Sequence, residues 1–273
     1  MSTGGLANCN LQSRQLLNCP AEVLLRSTVL TSLNLNRNKI VNLPRNINCL
    51  SLLVSLDLDC NELQQVPHEI GYIPLLQHLS IRNNVLISVP RSFGSLTALK
   101  SLYLSSNNIV SIPPELFVNL PRCGAQCGSH FSYSPQFCGS LELCWLGQNR
   151  IEVFSKPNPG QRYNVPRLQQ LWLNMNMLRE APQEVLSSAL TDLRYPKPQT
   201  HARDLVSQLR SLDHNRIRAF PDFQALGCLR NLRMQHNEVA AFLPSMTALV
   251  QLKEMDLSQA SLFNCCVGRC CHV

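Results

Sequence analysis

Apolar residues recur in one fixed pattern along the first half of the chain. Four successive segments share the form L-x-x-L-x-L-x-x-N-x-L, at residues 30–40, 53–63, 76–86 and 99–109. Their asparagines stand at positions 38, 61, 84 and 107, so one spacing of 23 residues occurs three times in succession. The alternating leucines predict a short strand with one buried face. The fixed period predicts a stack of similar units.

Proline follows each of these asparagines by six residues, at positions 44, 67, 90 and 113. Apolar residues then recur every three positions, as Ile47, Leu50 and Leu53 do. A period of three is typical of tight helical turns, and the fixed φ of proline suits the extended start of such a segment. We therefore expect each unit to be a strand and a helical return, which bury their apolar faces only by stacking on the next unit.

This pattern resembles the leucine-rich-repeat consensus. The resemblance implies an α/β solenoid: a horseshoe with a parallel concave β-sheet and short helical turns on the convex side. Weaker copies begin at residue 6, where Arg14 takes the asparagine place. Further copies continue around Asn149, Asn176, Asn215, Asn237 and Ala260. We predict about ten repeats in a domain over 1–262, regular over 30–121, and an irregular cysteine-rich tail at 263–273.

Two intervals between asparagines, of 42 and 39 residues, exceed one repeat by roughly a second repeat, which predicts inserted loops at about 122–140 and 187–208. A third interval, of 27 residues, exceeds it by four. Long insertions cost little at the edge of a solenoid. The first loop carries Cys123, Cys127 and Cys138, and with Cys144 these thiols offer a candidate zinc site. The spacings lack the tight C-x-x-C pairs of structural zinc sites, and Cys144 occupies an inward leucine position. A cysteine-dependent metal or redox module, built from loop and tail thiols, is nevertheless the alternative function.

The recurring asparagines are interpreted as structural. An inward asparagine at the end of a strand can bond to the backbone of its own and the adjacent unit, because buried polar groups are nearly always hydrogen-bonded. Function is therefore expected on the outward strand positions, which face the concave side because side chains alternate along a strand.

Both tryptophans of the chain fall in one outward column, four residues before the asparagine of consecutive repeats. Trp145 and Trp172 follow Tyr103 in this column, and neighbouring strands lie about 4.8 Å apart, so we expect a contiguous aromatic row. Tryptophan and tyrosine dominate binding hot spots. The other interpretation is that the loop after Arg122 folds over the row and buries it.

Polar and charged outward positions complete the predicted partner-binding face. Asp57 and Asp59 make the early repeats acidic, whereas late arginines, among them Arg210, Arg216, Arg218, Arg230 and Arg233, make the other end basic. A partner of opposite polarity would dock in one orientation, although a solvated mixed surface explains the same charges. The remaining candidate contacts are Arg82, Asn174 and Gln235.

Other function classes have little support in the sequence. No nucleophile lies at a recognised spacing from His78, His214 or His236, and no phosphate loop or metalloprotease motif occurs. We therefore predict no enzyme and no cofactor. The net charge is +7 without a run of five like charges, so no nucleic-acid arm is expected.

We expect a cytoplasmic protein, since the N-terminus lacks a basic start and an apolar block and the 13 cysteines are an odd number. Membrane attachment is not expected, because only the ending with Cys270 and Cys271 resembles a lipidated tail and no polybasic stretch precedes it.

The L-P-x-x-I motif narrows the resemblance. Residues 43–47 read Leu-Pro-Arg-Asn-Ile and residues 66–70 read Val-Pro-His-Glu-Ile. Such units resemble the intracellular Ras-suppressor class of leucine-rich-repeat proteins, closely over 30–121 and loosely over 6–29 and 141–262. The resemblance implies a non-catalytic scaffold that binds small GTPases, kinases, phosphatase subunits or adhesion proteins in signal transduction.

Overall fold

A computed structural model shows a solenoid built around one parallel sheet. It describes residues 7–25, 27–117, 140–155, 165–180, 192–194, 215–218, 223–224, 227–238 and 244–256. Within these ranges the sheet has ten strands, which lie side by side in chain order. The strands are Asn8–Asn10 (β1), Ser32–Asn34 (β2), Ser55–Asp57 (β3), His78–Ser80 (β4), Ser101–Tyr103 (β5), Leu143–Trp145 (β7), Gln170–Trp172 (β9), Asp192–Arg194 (β10), Asn231–Arg233 (β11) and Glu254–Asp256 (β12). Ser111–Ile112 (β6) and Val153–Phe154 (β8) form a separate parallel pair.

The return segments are the tight helical turns that the period of three predicts. One α-helical turn spans Ala21–Leu24, and 3-10 helices span Arg45–Cys49, His68–Tyr72, Arg91–Ser95, Pro114–Leu116 and Pro244–Ala248. The residue before each of the first four 3-10 helices is one of the repeated prolines, with an extended backbone, as at Pro44 with φ −68° and ψ 141°. The predicted solenoid architecture is therefore confirmed.

Successive helical turns approach one another so closely that two glycines are required. A Cβ atom added to Gly71 would lie 2.2 Å from the carbonyl oxygen of Ser92, and one added to Gly94 would lie 2.2 Å from that of Glu115. Both neighbours are backbone atoms of the next repeat, which cannot easily move. The repeat spacing on the convex side is thus set by direct contact of glycine with backbone.

The inward leucines of the repeats form one continuous core. Leu33, Leu56, Leu79 and Leu102, the central residues of β2 to β5, are 0–1% exposed. Each strand of the ten-stranded sheet is only three residues long, so a single strand buries little area and depends on the next repeat.

The asparagines join successive repeats by hydrogen bonds. The Asn61 side-chain oxygen accepts from the Ile40 backbone N–H at 3.0 Å, and its amide nitrogen donates to the carbonyl oxygens of Leu35 and Leu58, both at 3.0 Å. Asn84 and Asn107 repeat this arrangement one and two units later. All eight predicted asparagines are buried, at 1–7% exposure. Their structural interpretation is confirmed.

A left-handed residue precedes most of these asparagines. Arg37, for example, has a φ of 55°, and its backbone N–H donates to the carbonyl oxygen of Asp59 at 2.9 Å. The same conformation recurs at Cys60, Asn83, Ser106, Gln148, Met175 and His236. This turn lets the chain leave the strand with the following asparagine aimed inward, and nothing in the amino-acid pattern signals it because no glycine is used.

The structure differs from the sequence prediction at the repeat of Asn215. We placed an inserted loop at 187–208 and expected the strand near Ser211 and Asp213, which lie outside the described residues. Strand β10 instead lies at Asp192–Arg194, inside the expected loop. Asn215 nevertheless accepts from the Leu178 backbone N–H at 3.0 Å. The extra chain of this repeat therefore falls between the strand and the asparagine. Apart from Ser140, the expected loop at 122–140 lies outside the described residues.

Candidate protein-binding face

The last residues of three neighbouring strands place their rings in one row on the concave face. Sheet register pairs Tyr103 of β5 with Trp145 of β7, and Trp145 with Trp172 of β9. The two indoles are stacked, with centroids 4.0 Å apart and an interplanar angle of 5°. Tyr103 meets Trp145 edge to face at 4.7 Å and 71°. We call these three residues the aromatic ladder, and its predicted continuity is present in the structure.

The aromatic ladder lies on the sheet face opposite the core. Its members are half-buried, whereas Leu102 and Leu104, on either side of Tyr103, are fully buried on the other face. The indole N–H of Trp145 is buried, and no residue in the described part of the chain accepts a hydrogen bond from it. An unpaired buried donor is unfavourable for folding, so hydrogen bonding does not explain the position of this ring.

An ion pair supports the early end of the ladder. The Asp59 carboxylate accepts from Nε of Arg82 at 2.8 Å, from its Nη2 at 2.7 Å and from its backbone N–H at 2.6 Å. The Ser80 hydroxyl donates to the same carboxylate at 2.6 Å. The guanidinium carbon of Arg82 lies 5.5 Å from the centre of the Tyr103 ring, a cation–π distance. Asp59 therefore fixes Arg82 against the ladder.

This pairing changes the predicted charge distribution. Asp59 is only 3% exposed and its charge is balanced by Arg82, so it does not offer a partner the negative charge expected from the sequence. The sequence contains a signal for this ion pair, because Asp59 and Arg82 each stand two residues before the asparagine of consecutive repeats. Asp57 is half-buried and accepts from the Asp59 backbone N–H at 3.0 Å and from the Asn36 amide at 3.4 Å. Burial, with a further contribution from the Asp59 charge, raises the pKa of the Asp57 carboxyl.

Within β5, β7 and β9 the outward positions beside the rings carry no charge. The outward positions on either side of the three rings are Ser101, Ser105, Leu143, Gly147, Gln170 and Asn174. A Cβ atom on Gly147 would lie 2.3 Å from Oδ1 of Asn174, so the Asn174 side chain covers the space that the glycine leaves. Asn174, predicted as a contact residue, therefore also shapes the floor beside Trp145 and Trp172.

Beyond Trp172 the ladder column holds two arginines and then an aspartate, Asp256 of β12. Register pairs Trp172 with Arg194 of β10, and Arg194 with Arg233 of β11. Sequence analysis identified Arg233 but not Arg194, although Leu190 and Leu193 carry the L-x-x-L spacing of a strand. Gln235 donates a hydrogen bond to the Asp256 carboxylate.

The other late arginines differ in their surroundings. Arg216 and Arg230 are exposed, and Arg218 pairs with Glu238 at 3.0 Å. Arg210 lies outside the described residues.

The described residues do not bring together the cysteines of the alternative metal or redox site. Cys144 is fully buried as a leucine substitute on β7, whereas the cysteines of the first loop and the tail lie outside the described residues. Within the described ranges no three histidine, cysteine, aspartate or glutamate side chains are grouped so as to hold a metal ion.

His78 is exposed, and His214 also lies outside the described residues. None of the described helices has the length and apolarity needed to cross a bilayer.

Comparison with known proteins identifies the fold. A family model described as leucine rich repeat matches residues 51–109 and 74–122, which include β3, β4 and β5. No curated protein matches the sequence. Solved structures of leucine-rich-repeat proteins match most of the chain, so the fold is that of a leucine-rich-repeat solenoid.

Three of these structures illustrate the likeness. A leucine-rich-repeat protein of Leptospira interrogans is 24% identical, with a TM-score of 0.57, over 91% of this chain and 59% of that one. The plant peptide hormone receptor RGFR1, in complex with RGF2, is 23% identical, with a TM-score of 0.58, over 92% and 39%. TLR13, in complex with ssRNA13, is 22% identical, with a TM-score of 0.65, over 92% and 32%. This chain thus spans 59% or less of each, and at these identities the likeness concerns the fold alone.

Proposed function

We propose that this chain is a non-catalytic protein-binding scaffold whose concave face holds a protein partner on the aromatic ladder. The single observation that supports this most strongly is the position of the ladder. Three large rings lie half-buried on the face opposite the core, in consecutive strands. The solenoid does not need them there, because its leucine core is complete on the other face.

The chemistry of the ladder suits a protein contact. Tryptophan and tyrosine contribute a large rigid area at small entropic cost, so they dominate hot spots in protein interfaces. The rings already hold one another in place, and Asp59 holds Arg82 against them. A surface ordered before binding loses less entropy on association.

A nucleic-acid partner fits this face less well, even though one structural neighbour is a complex with RNA. Binding to a phosphate backbone requires a basic track, whereas the outward positions beside the rings within β5, β7 and β9 carry no charge. Another neighbour is a plant peptide hormone receptor in complex with its ligand, which is the precedent nearer to our proposal.

The finer assignment rests on the sequence motifs. The L-P-x-x-I units favour the Ras-suppressor class, and we include in the proposal a cytoplasmic scaffold in small-GTPase, kinase or phosphatase signalling.

The test compares concave and convex variants of the full chain. Tyr103→Ala and Trp172→Ala remove ladder rings, and Tyr72→Ala removes a 55% exposed tyrosine on a convex 3-10 helix. Each tagged variant is purified from cells, and co-purifying proteins are quantified by mass spectrometry. We expect at least ~10-fold less of the specific partner to co-purify with the ladder variants, which corresponds to a loss of about 1.4 kcal/mol in binding free energy. Tyr72→Ala should recover as much partner as the wild type.

Two outcomes would end the proposal. One is equal recovery of every partner by Tyr103→Ala, Trp172→Ala and the wild type. The other is loss of the partner by Tyr72→Ala to the same extent. Circular dichroism melts of all three variants show whether a loss of binding reflects unfolding.

A further inference from the structure

We propose that two copies of this chain pair through the edge of the solenoid at which the strands end, in an antiparallel arrangement that leaves both concave faces open. The inference is independent of the proposed function. It rests on four exposed aliphatic side chains that lie together on this edge, and on charges of opposite sign at the two ends of the group. We call these four residues the apolar flank: Val85, Ile87, Val110 and Val153.

The apolar flank lies between the sheet and the convex side. In each repeat, the residues after the asparagine connect the strand with the proline and its helical turn. Consecutive connections lie side by side. The backbone N–H of Val110 donates to the carbonyl oxygen of Ile87 at 3.4 Å, and Val153 is in parallel register with Ser111. The four side chains therefore belong to one surface, which extends over three successive repeats.

These side chains are exposed although the core beneath them is complete. Their exposed fractions are 42%, 63%, 47% and 55%, in chain order. Leu86, Ile109 and Ile151, which alternate with them in the same connections, are 0–1% exposed and belong to the core. Burial of aliphatic surface against another molecule is favourable, and grouped exposed apolar residues mark interaction sites more often than scattered ones do.

The charges beside the apolar flank point to a second copy as its occupant. Ile87 and Val110 stand at equivalent positions, three residues after the asparagines of consecutive repeats. Glu62 directly follows the asparagine of the repeat before this pair, and Arg150 that of the repeat after it, so both are equally far from the centre. Both are exposed, and neither forms an ion pair with another described residue.

A two-fold axis makes this pattern self-complementary. The axis runs between Ile87 and Val110, from the concave to the convex side. It reverses the order of the repeats in the second copy and keeps equivalent positions opposite each other. Ile87 then faces Val110 of the second copy, and Glu62 faces Arg150. Each contact occurs twice, so the dimer gains two apolar contacts at its centre and an ion pair at each end.

The remaining contacts of this arrangement bring no like charges together. Glu152, three residues after its asparagine, faces the uncharged Gln64 of the second copy. Val153 faces Gln65 in the same way. The aromatic ladder stays outside the interface, because it lies on the concave face of the sheet and not at this edge. A dimer therefore presents two ladders on the same side.

Sedimentation velocity of the full chain tests the pairing. The chain is kept reduced, so that disulfides between its 13 cysteines do not link copies. We expect the wild type to dimerise reversibly at concentrations of about 1–100 μM. Ile87→Ser should weaken the dimer at least about tenfold, because each dimer buries this side chain twice. Leu75→Ser is the control, because it removes a 45% exposed leucine that precedes β4 and lies outside the apolar flank, and it should leave dimerisation unchanged.

Charge reversal distinguishes a second copy from any other occupant. Glu62→Arg and Arg150→Glu each place like charges opposite each other at both ends, so each variant alone should dimerise at least about tenfold more weakly at low salt. In an equimolar mixture of the two variants, every charge at these positions faces one of the opposite sign, and heterodimers should form as tightly as the wild-type dimer. Glu22→Arg, at an exposed position of the α-helical turn, should have no effect.

Three results would overturn the inference. The first is a wild-type chain that stays monomeric up to about 100 μM, which would leave the apolar flank to a different protein. The second is equal dimerisation of Ile87→Ser and the wild type. The third is a mixture of Glu62→Arg and Arg150→Glu that pairs no better than either variant alone, although circular dichroism shows both to be folded. The proposed function stands in all three cases, because its test concerns the aromatic ladder.

Discussion

Two ladders cross the repeats, and they differ in what holds them together. The asparagine ladder is buried, recurs in almost every repeat and consists of hydrogen bonds to the backbone, as at Asn61 and Asn84. The aromatic ladder covers only β5, β7 and β9, is half-buried and consists of ring contacts. The first satisfies polar backbone groups in each unit that has the asparagine, as at Asn61 and Asn84. In the second, the indole N–H of Trp145 lacks an acceptor among the described residues.

The difference separates positions that maintain the solenoid from positions that are available for recognition. A side chain that performs the same structural task in each unit has the same neighbours in each unit, and the asparagines do. A row of rings confined to three units has no such task. We therefore expect substitutions in the asparagine ladder to affect stability, and substitutions in the aromatic ladder to affect binding.

The largest effect is expected for Asn84→Ala. This change removes the acceptor of the Leu63 backbone N–H and donors to the carbonyl oxygens of Leu58 and Arg82. Leaving these buried groups unpaired should lower the free energy of unfolding by about 3 kcal/mol, measured by urea denaturation. The exposed Asn48→Ala is the control and should stay within about 0.5 kcal/mol. A similar loss in both variants would refute the structural role of the ladder.

Gly94→Ala should have the next largest effect, because both ladders depend on the spacing of the repeats. The new Cβ atom would lie 2.2 Å from the carbonyl oxygen of Glu115. Overpacking of this kind typically costs 1–3 kcal/mol, and we expect about 2 kcal/mol in thermal unfolding. Gly227→Ala is the matched control, because its Cβ would lie 3.8 Å from the Ala248 oxygen, an ordinary contact. Equal stability of the two variants would show that the convex side does not set the spacing.

Trp145→Phe should change stability little. Phenylalanine keeps a ring in the ladder and removes the unpaired indole N–H, so the two effects oppose each other. We expect a change below about 1 kcal/mol in the free energy of unfolding, together with weaker binding of the cellular partner. A loss of about 3 kcal/mol or more, which is typical of truncating a core side chain, would mean that the ladder belongs to the core.

The smallest effect is expected for Asp57→Asn. Burial raises the pKa of this carboxyl in the folded chain, so the folded state binds the proton more tightly than the unfolded state. Its contribution to stability therefore falls as the pH rises from its ordinary pKa to the raised value. At pH 7 the variant should equal or slightly exceed the wild type, by less than about 1 kcal/mol, because the group is half-exposed. A variant that is less stable at pH 7 than at pH 4, relative to the wild type, would contradict the direction of this shift.

Much of the architecture follows from the sequence because identical neighbours recur at a fixed spacing. The asparagine period, the prolines before the helical turns and the column of Trp145 and Trp172 all depend on that regularity. Counting back from Asn215 placed the strand near Ser211, because the count assumed a constant distance between strand and asparagine. The structure places that strand at Asp192–Arg194. Counting back from the asparagine therefore predicts the wrong strand position when a repeat contains an insertion.

The charges of the site were harder to predict than its rings. The alignment of the repeats identifies which residues are neighbours on the sheet. It does not show whether two opposite charges pair with each other or remain free to bind a partner. Asp59 and Arg82 neutralise each other, so the acidic end expected from Asp57 and Asp59 is much weaker. The left-handed turns at Arg37 and Cys60 were also missed, because these residue types have no marked preference for that conformation.

Site-specific photocrosslinking tests the central claim most directly. The photoreactive residue p-benzoylphenylalanine replaces either Tyr103, in the aromatic ladder, or Tyr72, on the convex side, and the full chain is irradiated in cells. We predict a discrete adduct with a protein partner from position 103, which is lost when Trp172→Ala is added, and no such adduct from position 72. An adduct from position 72 alone, or equal adducts from both positions, would contradict a binding site on the aromatic ladder.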